Sequence, residues 1–209
     1  MKEQIKKSPF LLASTGSSGT GYLLRYFYHL LSIPRETHWI ASENFFTVLE
    51  QEYNLNWQTL QETEISKKVM DFFNEKKLIQ ALHTFKIFNY KDIGAKPASG
   101  SCVYESMVIL PCSMKTLASI ANGITSNLIE RAADVTLKEK RKLILVIRES
   151  PYNLIHVENM KKIILAGGVI LPASPGFYHH PKDINDIFDF IVDRIFRQAG
   201  IDKKLLEYS

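Results

Sequence analysis

Cysteine is scarce in this chain, with two in 209 residues, Cys102 and Cys112. Two thiols do not make a disulfide scaffold at this length, and no C-x-x-C pair with metal-ligand spacing is present. A reducing, cytoplasmic setting fits that usage. Long apolar runs are missing too. None approaches the roughly 18 residues that cross a bilayer, so no membrane span is expected. The opening stretch, MKEQIKKSPFLLAST, is basic and then apolar, like a secretory leader. Its apolar part is short and runs straight into a glycine-serine loop, which predicts a first strand instead. Dense Lys/Arg runs are also absent. The surplus is 26 basic over 22 acidic side chains, a net +4, which gives no basic stripe and no case for nucleic acid. One anionic ligand per chain would account for so small an excess. There is no internal repeat and no linker, so residues 1–209 read as one domain.

What is present is a regular alternation. Short apolar runs fall at 10–15, 36–42, 83–89, 106–111, 142–147 and 168–172. Between and after them lie stretches of helical length: YLLRYFYHLL, then 43–53, 113–122, 127–140, 153–166 and 184–196. Residues 54–82 are polar and helix-compatible without clear ends. The inner runs are apolar throughout rather than at alternate positions, so both faces of their sheet are covered. The pattern predicts an α/β, three-layer sandwich on a mostly parallel sheet, Rossmann- or flavodoxin-like. Ligands of such sheets sit beyond the carboxyl ends of the strands. The loops to inspect are therefore 16–19, 42, 111–116, 148–152 and 172–181.

STGSSGTG (14–21) joins the first strand to a helix. Small residues there let backbone amides approach an anion at the helix start. It lacks the Walker lysine, and Leu24 stands where G-x-G-x-x-G needs its third glycine. Phosphate binding and a plain tight turn capped by Ser18 both remain open. PCSMKT (111–116) is a second junction of this kind, where Ser113 or Thr116 can cap the helix. Cys112 has no base partner or protease-like signature around it and reads as a packing thiol. RESPYN (148–153) places Arg148 and Glu149 after a buried strand, as a chemical pair or a solvated one. ASPGFYHHP (173–181) offers Tyr178 and two histidines, which point apart in an extended segment and so do not share a metal; no metal site is expected. Arg194 sits at the edge of the last helix's apolar stripe, where it either snorkels or reaches an anion. Arg131 and Lys138 lie two turns apart on one helical face.

PASGS, VILPCSMKTLASIANG, NLIERAADVTLKEKRKLILVIRESP, HVENM and PGFYHHP, with TGSSG near the start, together resemble the flavin prenyltransferases of the UbiX type. These are a branch of the homo-oligomeric flavin-containing decarboxylase superfamily. The likeness is nearly continuous from about residue 97 to 201. It implies transfer of a dimethylallyl group from dimethylallyl phosphate to reduced FMN. The product is the prenylated cofactor of UbiD-type decarboxylases, which serve quinone or aromatic-acid metabolism. It also implies a homo-oligomer, commonly a dodecamer, with sites between subunits.

Carried onto this chain, the resemblance assigns FMN contacts to Gly16, Ser17, Ser18, Ser42, Ser113, Met114, Lys115, Thr116 and Arg148. Tyr178 and Arg194 would hold the donor phosphate. Arg131 and Lys138 would complete the cationic pocket, Lys138 from a neighbouring subunit, and Glu149 and Glu52 match acidic active-site positions. No D-D-x-x-D is present, which suits a metal-independent reaction of a monophosphate. Departures are Ser17 where alanine is usual, Glu43 where lysine is frequent, and Ile93, Gly94 and Ala95 in a stretch that carries tryptophan in some members. Two other readings share the fold: a flavin carrier without catalysis, and a cysteine decarboxylase, whose asparagine- and methionine-rich motif is absent here.

Overall fold

The computed structural model describes residues 8–74 and 85–206. Six strands form one parallel sheet: β1 (Phe10–Ser14), β2 (Thr37–Ala41), β3 (Phe85–Asn89), β4 (Ser106–Cys112), β5 (Lys142–Ile147) and β6 (Val169–Pro172). Seven helices connect them: α1 (Thr20–Leu30), α2 (Glu43–Tyr53), α3 (Glu62–Asn74), α4 (Met114–Ala121), α5 (Leu128–Lys138), α6 (Leu154–Leu165) and α7 (Ile184–Ala199). The strand order is β3-β2-β1-β4-β5-β6. Pairing runs from Phe10↔Thr37 to Ser14↔Ala41 on one side of β1 and from Leu11↔Met107 on the other. The order therefore reverses between β1 and β4, which is where a doubly wound sheet opens a crevice for a ligand.

Strand periodicity divides the core in two. Phe10, Leu12, Ile144 and Val146 pack with residues of α1, α2, α3 and α7. Leu11, Ala13, Leu143, Leu145 and Ile147 point the other way, to α4, α5 and α6. Every residue of β1, β2 and β4 is buried, as continuous apolar runs require. Trp39 is completely buried and meets Phe27 and Phe45 edge-on, with ring centroids 5.2 and 5.5 Å away.

Polar side chains hold the reversal point rigid. Ser14 Oγ donates to Leu110 O at 2.7 Å and receives Trp39 Nε1–H at 2.9 Å. Thr15 Oγ1 donates to Pro111 O at 3.0 Å and accepts the Ser113 amide at 2.8 Å. The ends of β1 and β4 are thus bonded side to side just where their loops diverge.

The predicted elements fall close to these, with differences at the ends. α7 runs on to Ala199 and stops at Gly200, whose φ of 72° suits glycine. α3 lies inside the stretch without clear ends, of which residues 75–82 are outside the described residues, as are 83 and 84 of the third predicted strand. Ser18 does not cap α1. The cap residue is Gly19, in a left-handed conformation (φ 103°), and no side chain of its own caps the helix. Among the described residues no helix is long and apolar enough to cross a membrane.

Candidate functional site

Adjacent strands β2, β1, β4 and β5 bring four loops into one row along the carboxyl edge. Three strand spacings of about 4.8 Å make this row roughly 14 Å wide, a cradle for an extended ligand. Ser42 ends the β2 loop and caps α2, accepting the Phe45 amide at 3.3 Å. Ser113 ends the β4 loop and caps α4, accepting the Thr116 amide at 3.3 Å, with its own hydroxyl directed to Thr116 Oγ1 at 3.1 Å. Each cap takes one amide. The other first-turn amides, including those of Met114 and Lys115, have no intrahelical acceptor and suit an anion. Lys115 is exposed beside them.

The β1 loop lies between these two helix starts. A Cβ on Gly16 would come 2.5 Å from Asn44 Cβ, so only glycine lets the loop reach the first turn of α2. Ser17 is buried, and its Oγ donates to Arg148 O at 3.1 Å. Arg148 Nε returns a bond to Ser18 O at 3.2 Å. This reciprocal pair locks the end of β5 to the glycine loop. Glu149, next along, is half-buried, and its Oε1 accepts the Ser150 amide at 3.1 Å.

The helix start after the glycine loop is already filled. Glu52, from the last turn of α2, accepts the Gly19 amide at 2.9 Å, the Thr20 amide at 2.8 Å and Thr20 Oγ1–H at 2.6 Å. Partial burial pushes its carboxyl up. Hydrogen bonds from Ser18, Thr20 and Gly19 more than offset this, leaving it below the usual carboxylate range. Sequence reasoning missed this long-range cap. The available signal was a first turn of α1 with neither an acidic residue nor a side-chain cap.

Cys112 is fully buried in the α4–α5 side of the core. Burial pushes its thiol well above the ordinary value, which disfavours the thiolate a nucleophile needs. Among the described residues no three His, Cys, Asp or Glu side chains gather as metal ligands would.

A second cluster lies at the sheet's outer edge, between β6 and α7. Arg194 donates to Tyr178 Oη at 2.8 Å and lies 5.3 Å from the centre of the Phe190 ring. A cavity of about 220 Å³ opens beside it, walled by Val169, Leu171, Phe190 and Ile191 with Ser174 at its side. Arg194 is thus neither a stray solvated arginine nor only a snorkelling one. It brings a guanidinium to an open hollow with apolar walls and with Ser174 and Gln198 also in its lining.

The family described as Flavoprotein matches this chain over residues 1–196. The flavin prenyltransferase UbiX of Pseudomonas aeruginosa is 43% identical over 195 residues, which cover 93% of this chain and 90% of that one. The chain belongs to the UbiX-type flavin prenyltransferases. A dodecameric FMN-dependent UbiX-like decarboxylase from Escherichia coli O157:H7 superposes with a TM-score of 0.79 at 33% identity, covering 95% of this chain and 98% of that one. A UbiX crystal structure in complex with FMN and dimethylallyl pyrophosphate superposes with a TM-score of 0.77 at 30% identity, covering 97% and 100% of the two chains.

In this UbiX-type chain the residues singled out from sequence fall into three groups. Gly16, Ser17, Ser18, Ser42, Ser113, Met114, Lys115, Thr116, Arg148 and Glu149 share the carboxyl edge, with Glu52 bonded into the same loop. Tyr178 and Arg194 pair with each other beside β6. Arg131 and Lys138 join neither group directly. Arg131 pairs with Asp134 at 2.7 Å and Lys138 with Glu139 at 2.9 Å. Lys138 ends α5, and β5 starts at Lys142, so Lys138 lies at the amino edge of the sheet. The length of β5, about 17 Å at 3.3 Å per residue, separates it from Arg148 within one chain.

Proposed function

We propose that this chain transfers the dimethylallyl group of a dimethylallyl phosphate to reduced FMN and hands the prenylated flavin to a UbiD-type decarboxylase. The observation that carries the reading is the pairing of Arg194 with Tyr178 beside an apolar cavity. A prenyl phosphate has an anionic head and a hydrocarbon tail, and that corner offers a counterpart to each. A closed cavity of about 150 Å³ already holds benzene, so five prenyl carbons find room by volume in this open pocket of 220 Å³. A plain flavin carrier has no use for such a corner.

The flavin end suits the four-loop row. The free first-turn amides of α2 or of α4 would take the FMN phosphate, since Glu52 already fills the start of α1. Arg148 and the glycine loop, locked together, would line the flavin. Reduced flavin, when bound, supplies an electron-rich ring nitrogen that displaces phosphate from the allylic carbon. The chain's part is to stabilise the charge that grows on the departing oxygens, which is usually the largest contribution in such reactions. Arg194 offers forked donors and Tyr178 a hydroxyl donor for those oxygens. Glu149, half-buried next to Arg148, would move a proton as the new ring closes. Arg131 lies one turn into α5, whose start is bonded to Tyr90 just past the end of β3, whereas Lys138 takes part only if a second copy presents it. That requirement fits a homo-oligomer, and the Escherichia coli relative is a dodecamer.

The test is anaerobic incubation with reduced FMN and either dimethylallyl phosphate or its pyrophosphate, followed by mass spectrometry of the flavin. A prenylated flavin with either donor supports the reading, and an unmodified flavin with both refutes it. Glu149→Gln is expected to slow product formation at least tenfold while FMN still binds. Wild-type turnover in that variant removes Glu149 from the mechanism.

A further inference from the structure

Tyr178 packs edge-on against Phe190 of α7, with ring centroids 5.6 Å apart, and a neighbour with no role in the proposed chemistry fastens its turn to the same helix. Residues 177–180 form a tight turn, closed by the His180 amide donating to Phe177 O at 3.0 Å. Tyr178 and His179 are its two central residues. His180 follows with a φ of 53°, so the histidines are not in the extended segment predicted from sequence. His179 stacks on Phe190, with centroids 5.5 Å apart and planes 20° from parallel, and its Nε2 lies 3.1 Å from Asp186 O. A carbonyl only accepts, so Nε2 carries the proton. Nδ1 is then a bare acceptor, and it is buried with no partner. Asp186, Phe190 and Arg194 are successive turns of one face of α7. The turn is therefore fastened to α7 twice through His179, and Tyr178 reaches Arg194 one turn further on.

A histidine is an odd choice for a packing role here. Phenylalanine would stack on Phe190 as well and would bury no unpaired acceptor. What histidine adds is the Nε2–H bond to Asp186 O. We propose that His179 is a positioning residue for the donor-phosphate pocket: its clamp on α7 sets Tyr178 Oη against Arg194. This rests on the reading that Tyr178 and Arg194 hold the donor phosphate. Gly176 supports the same assembly, because a Cβ there would come 2.9 Å from the Tyr178 ring and 3.0 Å from that of Phe190.

The test compares His179→Phe, His179→Gln, Tyr178→Phe and the double variant His179→Phe/Tyr178→Phe. Four readouts are needed: KM for dimethylallyl phosphate, inhibition by inorganic phosphate, flavin Kd, and Tm. His179→Phe is expected to raise the donor KM and the phosphate inhibition constant about tenfold, as Tyr178→Phe does, the size of one lost bond to a charged group. Flavin Kd and Tm should stay at wild type. The double variant should be no worse than Tyr178→Phe alone, because both changes remove the same contact. His179→Gln, which keeps an N–H for Asp186 O, should recover most of the loss. Wild-type donor KM in His179→Phe, alongside a weakened Tyr178→Phe, overturns the inference and leaves the donor-site reading standing. So does a matching fall in Tm and flavin affinity, or additive losses in the double variant. Unchanged donor KM in Tyr178→Phe refutes the donor-site reading, and the inference with it.

Discussion

Removing the carboxylate of Glu52 tests whether α1 depends on a cap from another helix. Its oxygens accept two backbone amides and a hydroxyl at 2.6 to 2.9 Å. No side chain in α1's own sequence replaces them, because the cap residue is glycine and the first turn has no acid. Hydrogen bonds to a charged group are worth about 1.5–3 kcal/mol when buried, and the charge at a helix start adds about 0.3–1 kcal/mol. Glu52 as a residue is exposed, so solvent screening trims that sum to about 2 kcal/mol for Glu52→Ala. Glu52→Gln keeps an acceptor but loses the charge, and should cost about 1 kcal/mol. Urea denaturation monitored by circular dichroism at pH 7 reads both. The pH dependence gives a second check. The folded carboxyl titrates below its ordinary value of 4.5, so its contribution is complete above that pH and fades as pH falls through the folded value. The gap between wild type and Glu52→Ala should therefore narrow on acidification below about pH 4.5. Equal urea midpoints at pH 7, or a gap that persists unchanged to pH 3, would refute the capping argument. A Glu52→Gln variant of normal stability and lost turnover would instead assign the carboxylate to the chemistry.

Three further outcomes are expected. Val169→Phe, which pushes a ring into the cavity beside Arg194, should raise the donor KM several-fold with flavin Kd unchanged; steady-state kinetics against a flavin titration decides it. Ser113→Ala removes the cap of α4 and the bond to Thr116 Oγ1, so it should cost about 1 kcal/mol in a urea melt and weaken FMN binding measured by flavin fluorescence. Glu36 accepts from His38 Nε2 and Lys86 Nζ, each at 2.9 Å, and although burial pushes its carboxyl up, these partners bring it down to about 2. Its stabilisation is full above pH 4.5 and lost between there and pH 2, so Glu36→Gln should flatten that part of the stability-pH curve.

The sheet and its helices were legible because each signal was local. VILP and the LILVI that follows Lys142 are apolar at every position because both sheet faces are covered. Ser42, Ser113, Asn127 and Asn153 all stand directly before helices and cap them. The site was legible as a set of loops, since parallel sheets deliver them to one edge. What stayed hidden was whatever depends on distant partners. Nothing near Thr20 in sequence points to Glu52, and nothing in a 3.6-residue period tells that Arg194 leans on Phe190 toward Tyr178. The clamp of His179 on Asp186 O depends on a turn that two adjacent histidines do not announce.

Arg131 and Lys138 follow from a different logic. Their partners Asp134 and Glu139 lie on the same helix or just past its end, and the side chains of both pairs are between 36% and 51% exposed. Exposed pairs of this kind contribute about 0–1 kcal/mol, so either cation can leave its acid for a stronger anion at little cost. The contrast is Arg25, whose two bonds to Asp189 at 2.5 and 2.6 Å, shared with His29, are mostly buried and tie α1 to α7. That pair is structural, because breaking it would strand a buried charge. Lys138 is the opposite case: loosely held, at the sheet edge away from the flavin loops, and beside Gly100, where a Cβ would come 3.4 Å from its Nζ. On the proposed function, a lysine so placed would reach a donor phosphate from a neighbouring copy, where the charge on the leaving group would outbid a solvent-screened carboxylate. Arg25 is thus fixed within the chain, whereas Lys138 is free to exchange its acid for a stronger anion.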